Sequence, residues 1–512
     1  MMTNTDISDL QHKSINDQTS KRLGDNIPQY MQHSEKELAG FFFGIRKTND
    51  GSMHHYIGKP QNKDGHILVI GGPGSGKSSC IAIPTLTTWN GTIFAIDIKG
   101  ELFDQYSRLK SKRPVKVFRF SRDTAENCSY DPFNLLHEGD PDDLVQNARE
   151  IAQAIIPIPP NIPEPFWCQA AQHVLTAVIL YVCGMHETDE DTGKTIEGTF
   201  NHAMTLIQTE KLWELIDEIG NSENEAANMH IKQFREIVEP EDNKMLTAIS
   251  AELSNRIIPF ATDNRIKSAF TKGDNMIRWE DLETQSIFMQ IPEDKIGQWD
   301  SAITLMLTQL IRTLERRPDK YSTNGKKQSF PPVLLLLDEF PRLGKIDVIQ
   351  NAISTLRSKN VTICLMMQSL SQLDKTYGIE SRKIIMDNCQ YKVILNVTDP
   401  DNQKIFSDMI GSINVEKRST NDRVNMDNSP STSSSIIKPI NCSDSRDDKI
   451  STSISTNRST TREPIIFPHE LATLKDILLM TPEGFCRVYK LPYYCKETHY
   501  VLVDFSQKTL FD

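Results

Sequence analysis

The sequence predicts an α/β fold, a mostly parallel sheet flanked by helices, with an all-α domain inserted into it. Three observations carry this prediction. Seven short apolar runs end in polar or glycine-rich turns: HILVIG (66–71), TIFAID (92–97), VKVFRF (115–120), SIFMQI (286–291), VLLLLD (333–338), VTICLMM (361–367) and YKVILNV (391–397). Several are apolar on both faces, as strands buried between two helical layers must be. The first run leads into a glycine-rich loop and then an apparent helix. Between the third and fourth runs the periodicity becomes helical, in DDLVQNAREIAQAI, FWCQAAQHVLTAVILYV and KLWELIDEI.

A chain of 512 residues exceeds one ordinary hydrophobic core. The texture divides it into a disordered tail (1–35), a first part of the nucleotide-binding sheet domain (36–136), the inserted all-α domain (137–275) and a second part of the sheet domain (276–411). A Ser/Thr-rich segment (412–463) and C-terminal strands (464–512) follow. IPIPPNIPEP (156–165) is a stiff connector within the insertion. SPSTSSS and STSISTNRSTT mark 412–463 as a disordered loop, because such a composition buries too little apolar area to offset its ordering entropy. IIFPHELATL, FCRVYKL and HYVLVD then return to sheet character.

Composition excludes several classes. Hydrophobic residues at 38% and charged residues at 24% describe a globular chain. A formal charge of −11 repels nucleic acid over the surface as a whole, so any DNA contact is local. Nine scattered cysteines, with no CxxC pair, read as reduced buried thiols. The polar first 35 residues lack the apolar core of a signal peptide. The longest apolar stretch, around Val174 to Cys183, is about half of what a bilayer requires, so no membrane span is expected.

The sharpest motif is Gly71-Gly72-Pro73-Gly74-Ser75-Gly76-Lys77-Ser78, a GxxxxGKS loop between a strand and a helix, with Ser79 following. Glycines permit the tight wrap that turns backbone N–H groups toward phosphates. Lys77 reaches the β and γ oxygens, and the Ser78 hydroxyl ligates Mg²⁺ at the helix N-terminus. The plainer alternative, a glycine-rich turn matching by chance, is disfavoured by the strand-loop-helix context.

Hydrolysis needs carboxylates as well. VLLLLDEF supplies two at the carboxyl end of an apolar strand, where open α/β sheets bind ligands. Asp338 is assigned to the Mg²⁺ shell and Glu339 to polarising water; the alternative is an acidic strand-to-helix turn. Gln368 ends the next run and is placed to sense the γ-phosphate, or else is a satisfied loop amide. Arg357 closes an amphipathic segment with Ile346, Ile349, Ile353 and Leu356 on one face. It is either a cation on a helix dipole or an arginine finger for a neighbouring subunit.

Taken in order, these blocks resemble the VirD4/TraG coupling proteins of type IV secretion (TraD/TrwB-like), in the RecA-like P-loop group alongside FtsK-type translocases. The stretches that carry the resemblance are HILVIGGPGSGKSS, GTIFAIDIKGEL with its Asp97-x-Lys99-Gly100-Glu101 element, SYDPFNLL, PFW before a helix, LLLLDEFPRLGKID, MMQSLSQL and IIFPHELATL. The resemblance implies ATP as substrate with Mg²⁺, and a homo-hexamer with its sites at subunit interfaces. It further implies a relaxase and single-stranded DNA as cargo, and secretion-channel components as partners. By motif position it carries over Lys77, Ser78, Asp338, Glu339, Gln368 as sensor and Arg357 as a trans arginine, and it makes the insertion a substrate-recognition cap. Most relatives begin with transmembrane helices. The expectation here is a cytoplasmic protein that either docks on a separate membrane-anchor protein at the inner face of the plasma membrane or works from the cytosol.

Two readings stay open beside it: a RecA- or FtsK-like translocase or helicase not tied to secretion, and an ATP-gated adaptor for protein cargo. The basic run RLKSKRPVKVFRFSR (108–122) offers phosphate contacts, though a solvated strand edge is the plainer account.

Overall fold

The computed structural model describes residues 27–34, 38–47, 54–109, 113–122, 127–159, 162–188, 195–237, 243–320, 330–425 and 451–495. At the N-terminal side, β1 (Gln32–His33), β2 (Gly40–Lys47) and β3 (His54–Pro60) form a small antiparallel sheet in the order β1-β3-β2. All seven apolar runs then form strands. These are β4 (Ile67–Ile70), β5 (Thr92–Asp97), β6 (Val115–Arg119), β9 (Ser286–Gln290), β10 (Val333–Leu337), β11 (Val361–Met367) and β12 (Tyr391–Ile394), with a short ladder of β7 (His186–Thr188) and β8 (Thr195–Glu197) between them in sequence. The seven pair in parallel in the order β12-β4-β11-β10-β5-β9-β6. Beyond β12 the sheet continues antiparallel through β15 (Ile477–Thr481) and β16 (Gly484–Val488).

Two-sided burial explains why these runs lack hydrophobic alternation. Successive strand residues point to opposite faces, and both faces here are apolar. Leu68, Ile70, Phe94, Ile96, Val333, Leu335 and Leu337 join one core, whereas Ile67, Val69, Ile93, Ala95, Leu334 and Leu336 join the other. Each of these Leu, Ile, Val and Phe side chains contributes about 1.5–3 kcal/mol of burial. The first core runs without a break from the sheet into the helical insertion, through Ala148, Ile151, Val174, Leu175, Ile249 and Phe260. The insertion is therefore welded to the sheet face rather than hung from it.

Several expectations need correction. The insertion is not purely helical, since it carries the β7–β8 ladder. Its Phe166–Cys183 helix spans 18 residues, longer than the apolar stretch counted in sequence. It is long and apolar enough to cross a bilayer, yet 67% of it is buried inside the protein, as the central helix of the insertion. Residues 27–34 of the expected disordered tail are ordered, with Met31 buried against the second core. Within the expected disordered loop, β13 (Ser412–Asn425) and β14 (Ser451–Pro464) pair antiparallel over their whole length. Backbone ladder bonds do not require an apolar composition, and Thr is itself a good strand former. Residues 1–26, 35 and 426–450 of these two calls, and the HYVLVD stretch, lie outside the described residues.

Candidate functional site

The loop after β4 is shaped by its glycines and by two neighbouring strands. Gly71 N–H bonds to Met367 O at 3.2 Å and Gly72 N–H to Asn396 O at 2.9 Å, which ties the loop to the ends of β11 and β12. Ser75 N–H closes a turn on Gly72 O at 3.2 Å, leaving Pro73 and Gly74 exposed at its tip. Gly74 and Gly76 adopt φ +70° and +100°, conformations that glycine reaches without penalty. From Lys77 the chain winds as a wide, i→i+5 bonded turn to Ala82, then as α-helix over Ile83–Thr88. Ser78 and Ser79 sit half-buried on that first turn.

Lys77 is buried, its Nζ donating to Gly71 O at 2.7 Å and lying 3.8 Å from Glu339 Oε1. Glu339 Oε1 also accepts from Gln368 Nε2 at 3.0 Å, and Glu339 N–H donates to Asp338 Oδ1 at 3.0 Å. The loop lysine, both acids and the glutamine are thereby brought together at the carboxyl ends of β4, β10 and β11. Glu339 holds φ 47° and ψ 39°, a left-handed conformation that costs a non-glycine residue about 1–3 kcal/mol. Phe340, buried and stacked on Tyr377 at 5.3 Å, anchors the turn that imposes it.

Electrostatics single out the same cluster. Burial, reinforced by the adjacent Glu339, pushes the Asp338 carboxyl up to about 6, with Lys77 and Lys99 pulling it back. Burial lowers the Lys77 ammonium, opposed by Glu339 and Asp338 and assisted by Lys99. Ser75 Oγ, Glu339 Oε2 and Asn396 Oδ1 are buried without a hydrogen-bond partner. Buried acceptors of this kind call for a ligand, water or cation. Among the described residues no group of three or more His, Cys, Asp or Glu converges as a closed metal site. A Mg²⁺ held by one hydroxyl, one carboxylate and substrate phosphates fits that donor set.

Three residues near this edge, Asp97, Lys99 and Glu101, had no role assigned from sequence. Asp97 is buried at the end of β5, where its carboxylate accepts from Leu102 N–H at 3.3 Å, Phe103 N–H at 2.9 Å and Gln290 Nε2 at 3.2 Å. It caps the Glu101–Arg108 helix, with Gly100 at φ 75° making the turn. The spacing of a strand-end Asp, a Gly and a helix was a legible signal of such a cap. Lys99 is thereby presented to the charge cluster, while Glu101 stays exposed.

Arg357 is not in this site. It lies at the opposite, amino-terminal edge of the sheet, near the starts of β11 and β12. With the Gln390 amide oxygen turned toward the guanidinium, it accepts from Nη2 and Nη1 at 2.9 and 3.0 Å. The basic run is largely engaged as well: Arg108 pairs with Asp104, Arg113 donates to Asn90 O, Lys116 to Asp281 and Met276 O, and Arg119 to Gln290. The plainer account of it, a strand edge with local partners, holds for those four residues.

A parallel sheet with a glycine-lysine loop at one strand end and paired acids two strands away defines a RecA-like P-loop fold. The family model described as "Type IV secretory system Conjugative DNA transfer" matches residues 5–506, and the chain belongs to that family. It is 26% identical over 357 residues to protein VirD4 of Rhizobium rhizogenes, covering 69% of this chain and 50% of that protein. To the conjugal transfer protein TraG of Escherichia coli it is 22% identical over 387 residues, covering 74% and 60%. The chain spans about half the length of the VirD4 proteins it matches. In fold it resembles the plasmid coupling protein TrwB solved with the ATP analogue ADPNP, at a TM-score of 0.59, 16% identity and coverage of 87% of this chain and 89% of that one. The unbound TrwBdeltaN70 structure matches at 0.58, with 17% identity and coverage of 83% and 84%.

Proposed function

We propose that this chain is the ATP-hydrolysing coupling protein of a type IV secretion or conjugation system, recruiting relaxase-bound single-stranded DNA and delivering it to the secretion channel. The observation that carries the reading is the meeting of Lys77, Glu339 and Gln368, from three strand ends, beside buried acceptors with no partner. Family membership supplies the pathway, and TrwB, the fold relative, has been solved with ADP and Mg²⁺.

In this reading Gly71, Gly72, Pro73, Gly74, Ser75, Gly76, Lys77, Ser78 and Ser79 cradle the triphosphate. Ser78 and Asp338 hold Mg²⁺, which when bound neutralises charge on the phosphates. Lys77 exchanges its bond to Gly71 O for phosphate oxygens. Glu339 Oε2, poised without a partner, accepts a hydrogen bond from the attacking water, and Gln368 reports on the γ-phosphate through Glu339. Arg357 acts in a neighbouring subunit of a homo-hexamer, its own site being at the other edge of the sheet.

In this reading the sheet domain is 36–136 with 276–411, and the insertion, 137–275, is the cargo-recognition cap. One support for that coupling is Lys345, on the loop after the acids, whose Nζ donates to Ile158 O of the Pro-rich connector at 2.6 Å. In this reading the protein works at the cytoplasmic face of the plasma membrane, with a membrane-anchor protein as a further partner.

Glu339→Gln tests the reading. ATP binding is expected to survive while hydrolysis falls by about 10²–10⁴ and DNA transfer is abolished. Wild-type transfer frequency in a Lys77→Ala strain would falsify the assignment.

A further inference from the structure

The phosphate loop has two flanks. On one, across β11, stand the acids of β10. On the other, across β12, the sheet runs out through β15 and β16, and there a cavity of about 270 Å³ opens directly beside Gly74, Ser75, Gly76, Ser79 and Cys80. Its other walls come from Ile45 of β2, from Lys475 and Asp476 just before β15, and from the segment after β16, chiefly Tyr489, Leu491, Pro492 and Tyr494. No sequence motif marks that segment.

It is nonetheless fastened to the loop. Tyr493 N–H donates to Ser79 O at 2.9 Å, and Lys490 Nζ donates to Ser75 O at 3.0 Å. On its other side, Ile45 and Tyr489 exchange backbone bonds of 3.1 and 2.9 Å. Of the charged groups that line the cavity, Lys490 is committed to the loop carbonyl and Asp476 to Arg487, while Lys475 is exposed. The lining also carries a large aromatic ring at the surface, Tyr494, which is 70% exposed. A large exposed ring above an apolar wall, fixed to a phosphate loop, has the composition of a base-stacking platform.

We infer that this cavity is the nucleoside half of the site: the base of a purine nucleotide stacks on Tyr494 against Leu491 and Pro492. The inference rests on the proposed reading that the triphosphate lies on the Gly71–Ser79 loop. A nucleotide whose γ-phosphate faces Glu339 must trail its nucleoside away from the acids, and the flank it reaches is this one. Stacking against an aromatic wall supports purines through their two-ring area. The segment 489–495 is thus part of the substrate site, although more than 400 residues separate it from the loop.

The experiment compares two probes, ADP and inorganic tripolyphosphate, on the full chain. Tyr494→Ala is expected to weaken ADP binding about tenfold while leaving tripolyphosphate unchanged, and Tyr494→Phe to retain wild-type affinity for both. The inference is overturned if Tyr494→Ala leaves ADP affinity intact, or if it weakens both probes equally. Lys77→Ala serves as the separate check on the underlying reading. If it lowers the affinity of neither probe, the phosphate assignment itself fails, whatever Tyr494 does.

Discussion

The two edges of the central sheet are made by the same strands and carry opposite chemistry. At the carboxyl ends the unpartnered groups are oxygens, on Ser75, Glu339 and Asn396, arranged around a lysine and two acids. At the amino ends the charged groups are cations bound to protein acceptors. Arg317 bonds to both oxygens of Glu283 at 2.6 and 3.0 Å and to the carbonyls of Lys359 and Pro331. Lys320 reaches Asn62 O and Asp64, Lys59 reaches Thr362 Oγ1, and His66 Nδ1 accepts from Ile363 N–H. The amino edge thus spends most of its polar groups on holding strand starts in register, its own unpartnered atoms being the nitrogens His66 Nε2 and Arg357 Nε, whereas the carboxyl edge leaves acceptors open for something from outside. Strained Glu339 sits on the second edge, where such strain serves chemistry.

Arg357 breaks this division most sharply, being an amino-edge cation assigned to catalysis. Arg357→Ala is expected to lower kcat by about 10³ or more, with ADP affinity of isolated subunits unchanged. Mixing such subunits with Lys77→Ala subunits should restore part of the hydrolysis, because each supplies what the other lacks at shared interfaces. A variant that only melts earlier, with full turnover per folded molecule, returns Arg357 to its neighbours as a strand anchor.

His66 tests the amino edge as a purely structural element. Burial, with Lys59 and Arg357 close by, holds its imidazole down to about 3 from an ordinary 6.5. The unfolded chain therefore takes up a proton between those values that the folded chain refuses. Stability contributed by neutral His66 is complete above pH 6.5 and is lost as pH falls toward 3. Denaturant melts of His66→Asn should show a flatter decline over that window than the parent. A parallel decline in both proteins would show that His66 is not the group responsible.

The smallest effect is expected at Lys116, partly buried and paired with Asp281 at 2.8 Å. Lys116→Gln should cost about 1 kcal/mol or less in stability. The salt dependence of DNA binding should be unaltered, since a lysine held by a carboxylate releases no counterion. A slope reduced by about one would instead make it a phosphate contact.

Much of this was legible in the chain itself. Six of the seven strands were, because residues buried on both faces leave apolar runs that need no partner to be recognised, whereas β6, with Val115 exposed, lies at the sheet edge. The glycine-lysine loop and the adjacent acids were too, since their chemistry demands those residue types at close spacing. The small β1–β3 sheet was not. A register shift between Phe42 and Gly44 removes the alternation that identifies a strand, and Phe41, Phe42 and Phe43 are all buried in consequence.

Local sequence thus determined which segments become strands and which loop meets phosphate. Tertiary structure alone decided that β11 lies between β4 and β10, which lets Gln368 reach Glu339. It also decided that Arg357 faces the far edge and that residues 489–495 close around the loop. The reason is physical: periodicity and propensity act over a few residues, whereas strand order and cross-chain contacts are selected by packing whole layers against one another.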